Sequence, residues 1–311
     1  MTAQSVAFFG PSGTFTEMAL DRVLGDRLPA QSGPVIAVDA EKITTGSPEK
    51  ALSLVRSGDA DYACVPMESS VEGSVPSTMD ALPVGPRLQI YAECVLDIVF
   101  TVAAASSIPV ESVRTIAAYP VAARQVRRSV EELFPDATFV PADSNAAAAQ
   151  DVADGRADAA VTTALAAEIS GLTALADGVA DAADAATRFV LVGRPGPVPR
   201  RTGADRTSVI LDLPNQPGSL VRAMLQFADR GIDLTRIESR PAAQAGEYYF
   251  YLDAVGHIDD AAVAEALAAL HRQARDVTYL GSWPAERPGG SPPPDHRPEL
   301  DWLDALRRGG E

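Results

Sequence analysis

The sequence predicts an α/β fold with mainly parallel strands, followed by a smaller βαββαβ unit. Short apolar runs alternate with helical patterns through residues 1–195, beginning with Ser5–Phe9, a glycine turn and a helix from about Thr14. Alternation of this kind is typical of strands that are joined by helices and lie parallel in a sheet. Gly193–Gly203 contains three prolines and three glycines, which indicates a linker, and the order of elements changes after it.

The elements of the first domain follow from apolar spacing and capping residues. Thr14 and Glu17 have capping-box spacing at the start of the first helix, and Ser47 is expected to cap the second helix, which Gly58 ends. The other expected elements are helices at Val121–Leu133 and Ala146–Asp154 and strands at Tyr62–Val65, Leu88–Ala103, Thr115–Ala118, Thr138–Val140 and Ala159–Thr162.

The second domain has the element order of a ferredoxin-like split unit. Its expected elements are strand Thr207–Leu213, helix Pro217–Arg230, strands Leu234–Arg240 and Tyr248–Val255 around a polar turn at Gln244–Gly246, a helix from Asp260, and strand Val277–Trp283. We therefore expect domains at 4–195 and 206–284, joined by a linker at 196–205. Residues 285–311 are rich in proline, glycine and charge and are expected to be disordered, unless 302–306 form a short docking helix.

The composition argues against several classes of partner and site. The net charge of −16 (26 − 42) disfavours nucleic acid and acidic membrane surfaces, because both are polyanions. No charged-then-apolar N-terminal segment and no apolar run of about 18 residues is present, so we expect a soluble, cytoplasmic protein. Cys64 and Cys94 are expected to be buried thiols, and the histidines are His257, His271 and His296. Neither a zinc site nor a Ser-His-Asp triad is therefore expected before residue 200.

Three loops of the first domain carry residues that suit a polar or anionic ligand. Gly10–Thr14 joins a strand to a helix, where free N–H groups and the helix dipole favour an anion. Pro66–Ser74 follows a strand and brings a carboxylate and several hydroxyls to its carboxyl end. Thr187–Phe189 opens a strand, with its hydroxyl and aromatic ring on one face and its positive charge on the other. Each loop taken alone also fits ordinary capping or strand geometry.

Together these segments resemble the prephenate dehydratase family. Gly10–Glu17 is similar to the family's Gly-Pro-x-Gly-Thr-Phe/Tyr-Ser/Thr segment, Pro66–Gly73 to its Pro-x-Glu-Asn-Ser-x-x-Gly segment, and Thr187–Phe189 to its Thr-Arg-Phe signature. In the second domain, Gly218–Val221 resembles the Gly-Ala-Leu-Val motif and Glu238–Pro241 the Glu-Ser-Arg-Pro motif of the family's ACT domain. The ordered combination of these motifs carries the resemblance.

The resemblance covers residues 5–283 and implies a two-lobed, periplasmic-binding-protein-like catalytic domain followed by a ferredoxin-like ACT domain. It implies conversion of prephenate to phenylpyruvate with loss of water and CO2, without a metal or organic cofactor. Thr187 would donate a hydrogen bond to the departing hydroxyl. Arg188 would bind a carboxylate or brace the strand, Glu68 would orient the substrate or donate a proton, and Phe189 completes the signature. The residues expected to bind the substrate are Ser12, Gly13, Thr14, Ser69, Ser70, Gln125, Ser144, Asn145 and Thr163.

Feedback inhibition by phenylalanine is also implied, in a homo-oligomer, a dimer or a tetramer, whose ACT domains pair. The residues expected to contact the effector are Asn215, Gly218, Ser219, Leu220, Val221, Glu238, Ser239, Arg240 and Pro241.

The chain departs from the family pattern at several positions. Ser69 stands where Asn is common, Tyr119 where many relatives have His, Ala185 where Asn often precedes the signature, and Ser219 where Ala is common. These departures bear on substrate contacts and effector affinity more than on the reaction. Three other functions stay open: an arogenate dehydratase, whose substrate differs by an amino group, a non-catalytic two-lobed ligand sensor, and a regulator dominated by its ACT domain.

Overall fold

The computed structural model describes residues 4–25, 39–242 and 246–310, which form two compact units. Over these residues, the first unit comprises 4–25, 39–81 and 94–191, and the second unit comprises 82–93, 192–242 and 246–310. Two residues of the predicted polar turn, 244 and 245, lie outside the described part of the chain. No helix of the described residues is long and apolar enough to cross a membrane.

The chain up to the linker alternates strands and helices, as predicted. Its elements are β1 Ser5–Phe9, α1 Phe15–Gly25, β2 Glu41–Thr45, α2 Pro48–Ser57, β3 Tyr62–Ser69, β4 Gly73–Ser74, α3 Pro76–Ala81, β5 Gln89–Asp97, β6 Thr101–Ala104, β7 Thr115–Ala118, α4 Pro120–Gln125, α5 Arg127–Leu133, β8 Thr138–Pro141, α6 Asn145–Ala153, β9 Ala159–Thr162, α7 Ala164–Ile169, β10 Thr173–Asp177 and β11 Ala186–Gly193. The division between the units passes through β5 after Glu93 and through β11 after Leu191.

These strands form two sheets, which define two lobes. The first sheet has the order β2-β1-β3-β11-β5, with β4 paired to β3, and β1 is parallel to both of its neighbours. The second sheet has the order β10-β6-β9-β7-β8, in which β7 is parallel to β8 and β9 while β6 is antiparallel to β9 and β10. Because β11 returns to the first sheet after the second is complete, the first lobe is discontinuous in sequence.

Most differences from the predicted elements arise where polarity or a local bend masks the pattern. The expected strand Leu88–Ala103 is two strands, β5 and β6, and the expected helix Val121–Leu133 is interrupted at Val126, whose φ of −123° is not helical. Strand β2 was not predicted, because its sequence Glu-Lys-Ile-Thr-Thr is mostly polar and its side chains are largely exposed.

The two predicted helix caps differ in outcome. The Ser47 hydroxyl accepts a hydrogen bond from the Lys50 N–H and caps α2 as predicted. At α1, the Glu17 carboxylate accepts a hydrogen bond from the N–H of Gly13 at 2.8 Å and pairs with Lys42 at 3.2 Å. Glu17 therefore closes the loop before α1 one residue earlier than the capping box would.

The second unit contains the predicted βαββαβ order. Its elements after the linker are β12 Asp205–Asp212, α8 Ser219–Ala228, β13 Leu234–Pro241, β14 Tyr248–Val255, α9 Ala261–Gln273, β15 Asp276–Pro284 and α10 Arg297–Arg307. The antiparallel sheet has the order β13-β14-β12-β15. Apolar residues of α8 and α9, including Phe227, Val263 and Leu270, pack with Leu211 and Leu252 of the sheet to form its core.

The segment after Pro284 differs from the disorder expected of it. The Ser291 N–H donates to Asp233 Oδ2 at 3.1 Å, and a Cβ at Gly256 would lie only 2.8 Å from Pro293 Cγ. The prolines therefore lie against bare glycine backbone, which offers them room that any side chain would fill. After this packed stretch, α10 follows with every apolar side chain at least partly exposed.

Candidate functional site

A large cavity of the first unit lies where the two lobes face each other. Its volume is about 950 Å³. It opens beyond the carboxyl ends of β1, β3, β7 and β8, the position at which α/β sheets present their loops to ligands. Both lobes contribute to its lining, so a ligand bound there would contact the two sheets at once.

The lining is rich in hydroxyls and poor in charge. The hydroxyl-bearing residues are Thr14, Thr16, Thr44, Thr45, Ser69, Ser74, Ser77, Tyr119, Ser144 and Thr187. Phe9, Phe15, Phe100 and Phe189 supply aromatic surface, and Phe15 and Phe100 pack edge to face with their ring centres 5.4 Å apart. The described lining contains no Lys or Arg, and its acidic members are Glu72 and Asp143. An anionic ligand would therefore be held by neutral donors.

Two helix N-termini supply such donors. The cavity is lined by Thr14 and Phe15 at the start of α1 and by Ser144 and Asn145 at the start of α6. Free N–H groups and the positive end of the helix dipole favour an anion at both places. The side-chain oxygen of Asn145 is buried without a hydrogen-bond partner among the described residues, so the amide is available to a ligand, in either flip orientation.

The predicted alternation along the Thr187–Phe189 segment is present. Thr187 and Phe189 line the cavity, and the half-buried Thr187 hydroxyl makes no hydrogen bond to a described residue. Arg188 points away from the cavity. It is 6% exposed, and its Nη2 lies 2.9 Å from Glu68 Oε2. The guanidinium and the carboxylate thus join β11 to β3. Of the two roles that the sequence left open for Arg188, this contact corresponds to bracing the strand.

Gly13 and Thr163, predicted to bind the substrate, lie outside the cavity lining and join the lobes instead. The Thr163 hydroxyl is fully buried and donates to the Gly13 carbonyl at 2.6 Å. Gly13 has a φ of +90°, and a Cβ there would lie 2.8 Å from the Cβ of Ala166. Its N–H, expected to face an anion, already donates to Glu17. The first lobe packs against α7 at this point, and any side chain at position 13 would clash with Ala166.

Ser12 and Ser70 also lie outside the lining. Five other residues predicted to bind the substrate line the cavity: Thr14, Ser69, Gln125, Ser144 and Asn145. Ser70 is tied to the start of β11, since its Oγ accepts from the Ala186 N–H at 3.0 Å and its N–H donates to the Ala186 carbonyl at 2.8 Å. This pair positions the residue immediately before Thr187.

Sequence reasoning missed several lining residues. Thr44 and Thr45 end the unpredicted strand β2, so no pattern placed them at the site. Glu72 belongs to the Pro66–Gly73 motif, and its carboxylate lies 3.4 Å from Arg124 of α4, in the other lobe. Tyr119 was noted only as a departure from the family pattern. Its position at the end of β7 is the signal that would have indicated it.

A second, smaller pocket lies in the second unit, with a volume of about 230 Å³. Five of the predicted effector residues line it: Asn215, Gly218, Ser219, Leu220 and Val221. Gly218 has a φ of +80° at the N-terminus of α8, and the Asn215 amide donates to the Gly246 carbonyl at 3.0 Å across the pocket. Gly246, Glu247, Tyr248 and Phe250 complete that wall.

The other predicted effector residues lie on β13, outside this lining. Glu238 accepts from Arg240 at 3.2 Å and also pairs with Arg236, so its carboxylate is engaged by guanidinium groups. Ser239 and Pro241 share that strand.

Two facing α/β lobes with a hydroxyl-lined cleft, followed by a βαββαβ unit with its own pocket, define a two-lobed α/β protein with a ferredoxin-like C-terminal domain. A family model of prephenate dehydratase matches residues 6–197, and one of the ACT domain matches residues 207–272. The chain belongs to the prephenate dehydratase family, and the predicted family and fold are confirmed.

Relatives of this chain match it over nearly its whole length. The prephenate dehydratase of Mycolicibacterium gilvum (strain PYR-GCK) is 56% identical over 307 residues, which cover 98% of both chains. The structure of prephenate dehydratase from Arthrobacter aurescens in complex with L-Phe has a TM-score of 0.86 and 39% identity, and the match covers 98% of this chain and 99% of that one. GqqA, described as a novel type of quorum quenching acylase, has a TM-score of 0.77 and 28% identity, with 91% and 98% coverage.

Proposed function

We propose that this chain converts prephenate to phenylpyruvate in the cavity of its first unit. The observation that carries the proposal is the Thr187 hydroxyl, which faces a cavity of neutral donors without a partner of its own. Loss of the ring carboxylate as CO2 supplies the electron pair that expels the ring hydroxyl, and a proton from the medium completes the water. The product ring is aromatic, so the chemical step is downhill and needs no strong base.

Thr187 acts on the leaving group. Its hydroxyl donates a hydrogen bond to the departing oxygen as negative charge develops there, which is stabilisation confined to the transition state. Phe189, two residues on and on the same face of β11, offers an apolar surface beside the reacting ring. The buried Arg188–Glu68 pair holds the strand beneath them, so Arg188 positions Thr187 and does not touch the substrate.

The dianionic substrate is bound without a cationic side chain. The N-termini of α1 and α6 and the surrounding hydroxyls supply hydrogen bonds to its carboxylates, and bonds of this charge-assisted kind contribute about 1.5–3 kcal/mol each. A lining without Lys or Arg also suits decarboxylation, because a fixed cation beside the leaving carboxylate would stabilise the ground state and slow its departure.

An acylase activity, the class named in the description of the GqqA structure, is less well supported. A hydroxyl nucleophile needs an adjacent base to activate it. The described lining contains no His, Lys or Cys, and its ionisable side chains are those of Glu72, Asp143 and Tyr119. The free Thr187 hydroxyl has no base within hydrogen-bond reach among the described residues, so it suits donation to a leaving group better than attack.

We also propose feedback inhibition by phenylalanine in the pocket of the second unit. The start of α8 offers N–H groups to the effector carboxylate, and Gly218 allows the backbone to approach it closely. A homo-oligomer, dimer or tetramer, would pair the ACT domains through the exposed faces of α8 and β13, where Val221, Leu225 and Ile237 are 62%, 44% and 55% exposed. We place the enzyme in the cytoplasm.

The experiment is a steady-state assay of purified full-length protein, in which phenylpyruvate formed from prephenate is followed by ultraviolet absorbance and phenylalanine formed from arogenate is measured by chromatography. Prephenate and arogenate are compared under the same conditions. The proposal expects a kcat/KM for prephenate within the usual enzymatic range of about 10⁴–10⁸ M⁻¹s⁻¹. A higher value with arogenate would assign the chain to arogenate dehydratases, and binding of either compound without turnover would assign it to ligand sensors.

A further inference from the structure

A fully buried carboxylate of the second unit belongs to neither pocket. Glu93 of β5 has no exposed side-chain surface, and its two oxygens accept hydrogen bonds from Trp283 Nε1 at 3.0 Å and from the Glu286 N–H at 3.1 Å. Arg206 Nε lies 3.1 Å from Oε2 as an ion pair, outside hydrogen-bond geometry. A buried charge is tolerated only when such partners satisfy it, so the position of Glu93 is strongly determined.

Residues that precede Glu93 in the chain also make close contacts with β15. Arg87 Nη1 donates to the Tyr279 carbonyl at 2.8 Å, and the Arg87 guanidinium lies 5.9 Å from the centre of the Tyr279 ring. Gly281 has a φ of +138°, and a Cβ there would lie 2.5 Å from the carbonyl oxygen of Ile90. Every second residue of β15, Tyr279, Gly281 and Trp283, therefore contacts either Arg87, just before β5, or the first half of β5.

The other partner of Glu93 leads to the effector pocket. Arg206 is the second residue of β12, and the same strand ends at Asp212, directly before Leu213 of the pocket lining. Strand β12 is hydrogen-bonded to β14 on one side and to β15 on the other, with one irregularity in the β15 register between Ser208 and Val209, and it rises about 3.4 Å per residue. Arg206 also lies 3.6 Å from Asp253 of β14, and that strand begins with Tyr248, another lining residue.

In the opposite direction, the chain leads to the catalytic cavity. After Glu93, β5 continues as Cys94–Asp97 in the first unit, and Ile98 and Phe100 then line the cavity. The Ile98 N–H donates to the Ala185 carbonyl at 2.8 Å, two residues before Thr187. A shift of β5 along its axis would therefore move both a wall of the cavity and the start of the strand that carries Thr187.

We infer that Glu93 is the coupling residue of this protein: effector occupancy reaches the catalytic cavity through β12, the Arg206–Glu93–Trp283 cluster and β5. The inference rests on the proposed inhibition by phenylalanine and specifies its route. Arg206 and Trp283 hold Glu93 in two arrangements, one for the empty pocket and one for the occupied pocket, and β5 transmits the difference. The coupling is then a property of this cluster, separable from effector binding and from catalysis.

The chain offers a matched pair of variants, because its two tryptophans lie in opposite environments: Trp283 is fully buried and Trp302 is 56% exposed on α10. Trp283→Phe removes the indole N–H that Glu93 accepts, and Trp302→Phe is the control. Couplings between sites are typically 5–150-fold. We expect saturating phenylalanine to lower kcat/KM by a factor in that range in wild type and Trp302→Phe, and by about threefold or less in Trp283→Phe. The uninhibited rate and calorimetric phenylalanine binding persist in all three.

Full inhibition of a folded Trp283→Phe variant would overturn the inference and leave the proposed function intact, whereas a wild type indifferent to phenylalanine would overturn the proposed regulation itself. If Trp283→Phe fails to fold, a second measurement still tests the inference. Trp302→Phe has Trp283 as its sole tryptophan, so its emission reports the environment of Glu93. Phenylalanine should shift that emission with the same midpoint as inhibition, and an unchanged spectrum at inhibiting concentrations would also overturn the inference.

Discussion

Replacing Thr187 by valine removes one hydroxyl and keeps the β-branched shape that the strand packs. The structure separates the effect on folding from the effect on catalysis. The hydroxyl makes no hydrogen bond to a described residue, so the substitution leaves no protein group unpaired. The cost to the free energy of unfolding should therefore stay below about 1 kcal/mol, the usual net worth of a hydrogen bond.

The catalytic effect should be much larger. Removing one donor that stabilises developing charge lowers kcat by about 10²–10³, which corresponds to about 2.7–4 kcal/mol of transition-state stabilisation. Because the bond forms only as the hydroxyl departs, kcat and kcat/KM should fall by similar factors while KM changes little. Thr187→Ser keeps the donor and should retain most of the activity.

The assay is initial-rate formation of phenylpyruvate over a range of prephenate concentrations, with thermal unfolding measured on the same samples. Thr173→Val is the matched control, since Thr173 is an exposed strand threonine outside the cavity lining. A Thr187→Val variant within about threefold of wild type would refute the role of the hydroxyl, given the expected loss of 10²–10³. Equal losses in Thr187→Ser and Thr187→Val would refute it as well, because shape would then matter and the donor would not.

Three further predictions concern the lobes, the effector pocket and alkaline stability. Thr163→Val removes the 2.6 Å donor to the buried Gly13 carbonyl and also the oxygen that accepts from the Ala166 N–H at the start of α7. The free energy of unfolding should therefore fall by at least about 1–3 kcal/mol, measured by denaturant titration, and no loss would contradict a role in joining the lobes. Gly218→Trp should relieve inhibition by phenylalanine and keep the uninhibited rate, and loss of both together would contradict separate sites. Burial raises the pKa of Tyr279 to about 12. The stability that its neutral form contributes is present below the unfolded-state pKa of about 10 and is lost as pH rises towards 12. Tyr279→Phe should therefore lose less stability than wild type between these pH values, and parallel losses would contradict this assignment.

Local sequence rules predicted the parts of the site that lie on regular elements. Strand alternation predicted that Thr187 and Phe189 share one face and that Arg188 lies on the other. That opposite facing left a bracing role open for Arg188, and its contact with Glu68 supports this role. The helix predicted from Ala146 begins one residue earlier, at Asn145, with Ser144 as its cap. These features depend on neighbours in sequence, so the sequence contains them.

Features that depend on distant partners were not predictable in the same way. Gly13 looked like an anion-binding glycine, but its N–H is taken by Glu17 and its bare Cα is required by Ala166, 153 residues along the chain (166 − 13). The tail after residue 284 has a composition typical of disorder, yet its prolines lie against glycines of the second unit. No motif or spacing in the sequence singles out Glu93, because its partners Arg206 and Trp283 lie on the distant strands β12 and β15.

The most direct test of the central claim is a stoichiometric measurement on the wild-type protein. Prephenate labelled with ¹³C in its ring carboxylate is incubated with the enzyme, and NMR follows the substrate, phenylpyruvate and labelled CO2 together. The account predicts that phenylpyruvate and labelled CO2 appear in equal amounts as prephenate disappears, and that Thr187→Val slows both to the same extent. Prephenate that persists in the presence of folded protein, or a product that retains the label, would contradict it.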